Sequence, residues 1–162
     1  MGVIFIEAWR QVDPKHAAEA MKFWKAMGLP LAEQQERLNE LCAFAYVNDR
    51  FAGVSTARLQ DFPLLRSRLA YYRCAVVPQF RQRDLAYRLT GYSRRVLEKW
   101  SRANPEEKVM GLAAEIEATE LRAFQLKPAW PEHDLHLNLA YYLENGQQVR
   151  VAWFKHARLE AG

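Results

Sequence analysis

The segment from residue 69 to residue 100 constrains the fold of this chain most strongly, because an apolar strand there runs through a short basic turn into an amphipathic helix. The strand is predicted over residues 69–77, and the turn follows Pro78. The helix carries an apolar stripe at helical spacing, made of Leu85, Leu89, Tyr92, Val96 and Trp100. The first N–H groups of a helix have no partner within it, and the helix dipole is positive there. The segment therefore predicts a site for an anion such as phosphate.

The turn between this strand and helix resembles a known phosphate-binding loop. It reads Arg81-Gln82-Arg83-Asp84-Leu85-Ala86 and follows Val76-Val77-Pro78. The pyrophosphate-binding loop of the GNAT superfamily of N-acetyltransferases reads Arg/Gln-x-x-Gly-x-Gly/Ala, often after an apolar pair and a proline. Two of the three specified positions match, whereas Asp84 stands where the superfamily has Gly.

The order of the predicted elements is similar to the order in the same superfamily over nearly the whole chain. Strands are predicted at residues 3–10, 41–47, 51–59, 69–77, 109–117, 135–143 and 149–157. Helices are predicted from Asp13-Pro14 to Gly28, at residues 32–39, from Leu85 to Asn104-Pro105, and at residues 119–126. We therefore predict an α+β, GNAT-like fold with a mixed central sheet of about seven strands and about four helices. A single domain is predicted over residues 1–162.

The resemblance implies that the chain uses acetyl-coenzyme A as its cosubstrate. In the superfamily the fourth and fifth strands splay apart, and the pantetheine arm pairs with free backbone groups between them. The backbone N–H groups of residues 82–86 would hold the pyrophosphate, with added charge from a loop arginine. The implied cofactor-binding residues are Val76 and Val77 for the pantetheine, and Arg81, Gln82, Arg83, Asp84, Leu85 and Ala86 for the phosphates. A solvated basic turn capped by Asp84 is the alternative.

The charge of Asp84 bears on the affinity of such a site. Two like unit charges about 5 Å apart repel by about 3 kcal/mol at an effective dielectric constant of about 20. This cost falls if Asp84 turns outward as a helix cap, or if it pairs with Arg83 or Arg88.

Acetyl transfer to an amine needs a base for the ammonium proton and often an acid for the leaving thiolate. Superfamily members often carry an acid on the fourth strand, but residues 69–74 contain none. Glu115 and Glu117 lie two residues apart near the end of the fifth strand, so both would point to one face and could act as the base, directly or through water. An exposed strand end is the equally open alternative.

The candidate acid lies on the sixth strand. Superfamily members often place a Tyr before a Gly-Phe pair in the short helix after the fifth strand, where this chain has Phe124-Gln125-Leu126-Lys127. Tyr141 and Tyr142 are neighbours on a strand and face opposite ways, so at most one could reach the cleft. We take Tyr141 as the candidate acid. Either tyrosine is also typical of a core or rim aromatic.

Composition limits the other classes of function. The net charge is +4, and residues 58–102 contain eleven Lys and Arg side chains against three acids. The positive electrostatic field of these side chains attracts a phosphorylated cofactor, a nucleic acid or an acidic partner alike. A basic nucleic-acid-binding module therefore stays open as a less favoured alternative. No run of eighteen apolar residues and no signal-like N-terminus occurs, which predicts a cytoplasmic protein without membrane contact.

The remaining sequence features predict no metal and one self-association surface. Cys42 and Cys74 each lie in an apolar run without a nearby second cysteine, so we expect buried, reduced thiols. His133 and His136 straddle a loop and a strand start, a spacing that does not predict a metal site. The final hairpin, around Asn145-Gly146, is unusually apolar and predicts a homodimer.

The predicted function is acetyl-coenzyme A-dependent N-acetylation of an unidentified primary amine, either a small molecule or a peptide, by direct transfer in a ternary complex. A catalytically inactive GNAT-like domain that binds acyl-coenzyme A or a partner is the alternative. The absence of a fourth-strand acid and of the usual helix tyrosine favours that alternative somewhat.

Overall fold

The computed structural model describes residues 2–81, 84–116 and 125–159. Its strands are β1 (Val3–Glu7), β2 (Leu41–Val47), β3 (Arg50–Phe62), β4 (Ser67–Val76), β5 (Val109–Ile116), β6 (Ala129–Trp130), β7 (Leu137–Tyr142) and β8 (Gln148–Trp153). The α-helices in these residues are α1 (Pro14–Ala26), α2 (Leu31–Leu38) and α3 (Leu85–Ala103). None of these helices is long and apolar enough to cross a membrane.

The eight strands form a sheet in the order β1-β2-β3-β4-β5-β8-β7-β6. β4 and β5 run parallel, whereas β1 with β2, β2 with β3, β5 with β8, and β7 with both β8 and β6 run antiparallel. This mixed sheet with helices confirms the predicted α+β fold. The additional strand is β6, whose two residues lie between Pro128 and Pro131, outside the predicted strands. The helix predicted at residues 119–126 lies largely outside the described residues.

Backbone conformation explains where the observed strand ends differ from the predicted ones. β1 ends before residue 10, since Arg10 has a left-handed φ of 63° that a strand cannot contain. Asn48 and Asp49 have φ values of 48° and 65°, so they form the tight turn between β2 and β3. Such a turn matches the twist of paired strands, which lets β3 pair with β2 from Arg50 onward.

One compact unit comprises residues 2–57 and 73–96. In this unit α1 starts where the Asp13 carboxylate accepts the Lys15 N–H at 2.9 Å and Pro14 occupies the first turn. Ala20 and Trp24 of α1 pack into a buried cluster on one face of β2 and β3, with Leu41, Phe44, Tyr46 and Val54. The first half of α3 packs through Leu85 and Leu89 into a second cluster, with Ala43, Ala45, Val47, Ala52, Val76 and Phe80. Helices therefore cover both faces of these strands.

The other compact unit comprises residues 58–72 and 97–159. Its apolar cluster is built from strand residues, with Phe62, Leu69, Ala113 and Val151 buried. Gly111 lets β5 approach β8 closely, because a Cβ at this position would lie 2.7 Å from the Ala152 carbonyl oxygen. The β7–β8 hairpin uses its apolar residues in the same way, since Leu137, Val149, Val151 and Phe154 are buried. Packing within the chain thus accounts for these buried residues, and the homodimer stays a prediction.

A completely buried arginine holds the segment before β6 in this unit. Arg150 Nε donates to Gln148 Oε1 at 2.8 Å, and Arg150 Nη2 donates to the Lys127 carbonyl at 2.7 Å. Its Cζ lies 3.9 Å from the centre of the Trp130 ring. Burial lowers the pKa of Arg150 from its ordinary value. Arg150 therefore joins β8 to the chain leading into β6, where cation–π stacking partly replaces lost hydration.

Candidate functional site

The parallel pairing of β5 with β4 stops before β5 ends. Tyr71 with Ala113 is the last pair between these strands in the described residues, and β5 continues to Ile116. On its other edge β5 stays paired with β8 as far as Ile116 with Gln148. On the edge of β5 that pairs with β4, residues 114–116 thus lie beyond the last β4–β5 residue pair. Such a strand edge can pair with an extended ligand through N–H and C=O groups.

Glu115 lies on this last part of β5, and the register places Tyr141 on the same face. Val149 of β8 pairs with Glu115 on one side and with Tyr141 on the other. Directly paired residues point to the same side of a sheet, so Glu115 and Tyr141 flank Val149 at a backbone separation of about 10 Å. Tyr142 faces the opposite side and is 59% exposed. The second predicted base, Glu117, lies outside the described residues.

The electrostatics of this face suit proton transfer. The Tyr71 hydroxyl donates to Glu115 Oε2 at 3.3 Å, which orients the carboxylate. Burial, and secondarily the charge of Glu115, raises the pKa of Tyr141 above its ordinary value of 10.0. The Tyr141 phenol is therefore protonated at neutral pH and can donate a proton. We refer to Glu115, Tyr71 and Tyr141 as the β5 cluster.

Tyr71 belongs to the β5 cluster although the sequence did not indicate it. Glu115 is 44 residues away along the chain, so no local spacing connects the two side chains. The guanidinium of Arg58 lies over the Tyr71 ring, with Cζ 5.4 Å from the ring centre. The alternation of β3 and β4 is visible in the sequence, but only the register between the strands brings these residues together.

The predicted phosphate loop lies in the other unit. Asp84 has a left-handed φ of 54°, and its carbonyl accepts the Arg88 N–H at 3.0 Å as α3 begins. A Gly would adopt this positive φ without cost, and Asp is among the residues that tolerate it. Leu85 is buried in the apolar cluster of this unit, and Ala86 packs against the same cluster.

The strand end before the loop is tied down by hydrogen bonds. The Val77 N–H donates to the Ala52 carbonyl at 2.8 Å, and the Val77 carbonyl accepts the Phe80 N–H at 2.9 Å. Both backbone groups of Val77 are thus engaged within the unit. Arg81 Nε donates to the Val76 carbonyl at 3.1 Å, so its guanidinium is turned back toward β4. Gln82 and Arg83 lie outside the described residues.

A second polar network, not indicated by the sequence, joins α1 to β2. The Tyr46 hydroxyl donates to Glu19 Oε1 at 2.6 Å and also bonds His16 Nδ1. Burial, with the nearby Glu19 carboxylate as the next cause, raises the pKa of Tyr46. His16 and Glu19 are three residues apart on one helical face, a weak signal in sequence. Because Tyr46 comes from a strand 27 residues beyond Glu19, only the packed structure assembles the network.

Comparison with solved structures identifies the fold. A GNAT-family acetyltransferase from Streptococcus pneumoniae is 14% identical with a TM-score of 0.59, and the match covers 94% of this chain and 99% of that chain. Arabidopsis thaliana NAA60 in complex with acetyl-CoA is 14% identical with a TM-score of 0.58, covering 94% and 99%. The NatC complex bound to Gag peptide and CoA is 13% identical with a TM-score of 0.59, covering 95% and 98%. No protein-family model and no curated protein matches the sequence. The structural likenesses show that the chain has the GNAT fold.

Proposed function

We propose that the protein is an acetyl-coenzyme A-dependent N-acetyltransferase that transfers the acetyl group directly to a primary amine in a ternary complex. The observation that carries the proposal is the placement of Glu115 and Tyr141 on one face beyond the last β4–β5 pair, in a chain with the GNAT fold. Two solved structures of the same fold contain acetyl-CoA or CoA, which supports the choice of cosubstrate.

Glu115 is the proposed general base. Its carboxylate accepts a proton from the acceptor ammonium, directly or through one water, and Tyr71 holds it in orientation. The freed amine attacks the thioester carbonyl that acetyl-coenzyme A supplies, so that a C–N bond forms as the C–S bond breaks. Tyr141 is the proposed general acid, because its raised pKa keeps a proton available for the leaving thiolate. The ammonium loses two N–H protons in the reaction: Glu115 takes up the first before attack. Tyr141 gives its proton to the thiolate and is reprotonated by the second, which leaves nitrogen as the amide forms.

The residues at the start of α3 fit a pyrophosphate in backbone shape. The left-handed Asp84 turns the chain as Gly does in the resembled motif, which leaves the N–H groups of Leu85 and Ala86 in the first helical turn for phosphate oxygens. Arg81 would add positive charge. The Asp84 carboxylate opposes the phosphates and lowers the expected affinity. Gln82, Arg83 and Val76 stay predicted contributors. Val77 is left with its side chain for any contact with the pantetheine arm, because both of its backbone groups are already hydrogen-bonded.

Binding and turnover test the proposal separately. We expect calorimetric titration to show micromolar binding of acetyl-coenzyme A. We also expect at least one amine in a panel of primary amines to be acetylated, which is measured as release of the coenzyme A thiol. Glu115→Gln should keep the binding and lower kcat at least a hundredfold, because general-base catalysis contributes about 10²–10⁴-fold. Glu106→Gln, at an exposed acid of the same unit, is the matched control. Undiminished turnover by Glu115→Gln would refute the assignment of the base.

The inactive acyl-coenzyme A-binding domain is the second candidate, because residues 69–74 of β4 carry no acid. It predicts binding of acetyl-coenzyme A without thiol release on any amine. The same pair of measurements therefore separates the two functions.

A further inference from the structure

We infer that the acceptor is a small amine that also bears a carboxylate, such as a free amino acid, and that Arg58 binds this carboxylate while Glu115 receives the amine. The inference rests on the proposed function, because it concerns the acceptor of the same site. The Arg58 guanidinium lies beside the β5 cluster, over the ring of Tyr71.

Two contacts position the Arg58 side chain. Its Nε donates to Gln60 Oε1 at 3.1 Å, and its Cζ lies 5.4 Å from the centre of the Tyr71 ring. The hydrogen bond uses Nε, and the terminal nitrogens carry four further N–H groups in a planar fork. Arg58 is exposed, and no described carboxylate pairs with it. A partly oriented guanidinium therefore stands open to solvent at the edge of the β5 cluster.

Tyr71 connects this cation to the proposed base. Its ring contacts Arg58 and its hydroxyl donates to Glu115, so one side chain touches both a positive and a negative group. A simple alkylamine would satisfy Glu115, but its ammonium would be repelled by Arg58. A zwitterion places its ammonium at the carboxylate and its carboxylate at the guanidinium. Arg suits this role because its fork matches a carboxylate with two parallel hydrogen bonds.

The charge of the group next to the amine distinguishes this acceptor from a peptide N-terminus. The amine of a peptide is followed by an amide, which carries no charge for Arg58 to bind. A matched set therefore has three members. The first is an amino acid, the second is its C-terminal amide, in which the carboxylate is replaced by an uncharged amide, and the third is the corresponding amine, which has neither group. The relevant quantity is the ratio of kcat/KM within the set, with concentrations expressed as free amine and the ratio compared between wild type and the Arg58 variants. Effects on cofactor binding and the intrinsic reactivities of the amines cancel in that comparison.

The test measures thiol release at saturating acetyl-coenzyme A with several such sets, including amino acids whose amine and carboxylate are separated by one to four carbons. We expect the carboxylate member to be preferred about three- to fivefold, since an exposed ion pair is worth up to about 1 kcal/mol and a tenfold change corresponds to 1.4 kcal/mol. Arg58→Gln should reduce this preference to near one, and Arg58→Lys should retain part of it. Arg102→Gln, at an exposed arginine in the last turn of α3, should leave the preference intact.

The outcomes separate failure of this inference from failure of the proposed function. Equal use of acid and amide, preference for peptides with blocked carboxyl ends, or a preference that survives in Arg58→Gln would each overturn the inference while acetyl transfer stands. If no amine is acetylated, calorimetric titration of the same sets against the protein with coenzyme A decides the question. Tighter binding of the carboxylate member, lost in Arg58→Gln, supports the inference; equal binding or none overturns it.

Discussion

Replacement of Asp84 by glycine should tighten the binding of coenzyme A. Asp84 occupies the position of a motif glycine and has a φ of 54°, so Asp84→Gly keeps the turn and removes the strain of a left-handed L-residue. It also removes a negative charge from the first turn of α3, where phosphates are proposed to bind. The backbone effect concerns folding stability, whereas the charge effect concerns affinity.

The expected size follows from the position of Asp84. At about 5 Å and an effective dielectric constant of about 20 the repulsion is about 3 kcal/mol. Asp84 is exposed, so water and salt reduce this value to about 1 kcal/mol. Because 1.4 kcal/mol corresponds to a tenfold change, we expect Kd to fall about three- to tenfold.

Calorimetric titration with coenzyme A at low and high salt provides the assay. Asp84→Asn separates the two effects, because it removes the charge while keeping a residue that tolerates positive φ. Asp49→Gly is the matched backbone control, since Asp49 also is exposed, with a φ of 65°, in the β2–β3 turn. An affinity that is unchanged or weaker in both Asp84 variants would refute the assignment of the phosphate loop.

Three further predictions concern the β5 cluster, the sheet and the α1–β2 network. Tyr141→Phe should lower kcat about a hundredfold without changing coenzyme A affinity; equal thiol release by variant and wild type would exclude the tyrosine as acid. Gly111→Ala should lower the free energy of unfolding by about 2 kcal/mol in urea titrations, because its Cβ would lie 2.7 Å from a backbone carbonyl of β8, whereas Gly2→Ala, with 3.7 Å to its nearest atom, should have little effect. Tyr46→Phe should cost about 1–2 kcal/mol at pH 7 through its lost hydrogen bonds. Since folding raises the Tyr46 pKa above 10.0, wild-type stability should fall as pH rises past about 10, and a variant that showed the same fall would contradict this cause.

The fold was largely predictable from local patterns. β2 begins and ends where the sequence predicted, and α1 starts at the predicted Asp13-Pro14 cap, because hydrophobic period and capping chemistry act within a few residues. The strand ends that differ depend on long-range pairing or on left-handed residues such as Arg10. β6 was missed because two residues carry no periodicity, and it forms only by pairing with β7.

The candidate site was predictable in part. Glu115 and Tyr141 were selected from strand position, and their placement on one face depends on the pairing of both with Val149. Their catalytic roles stay predictions. Tyr71 and Arg58 carried no signal that distinguishes them from other strand residues, because each acquires its role from a neighbour on another strand.

Apart from β6, the sequence by itself determined the order of the described strands and helices, the turn into α3 and the kinds of side chain available for chemistry, since these depend on contacts between near neighbours along the chain. The tertiary structure decided which side chains meet. Register between strands distant in sequence is set by the burial of their apolar faces, and a shift of one residue would turn Glu115 to the opposite face. For that reason the β5 cluster, the Arg58 contact and the His16–Tyr46–Glu19 network could be identified only once the strands were paired.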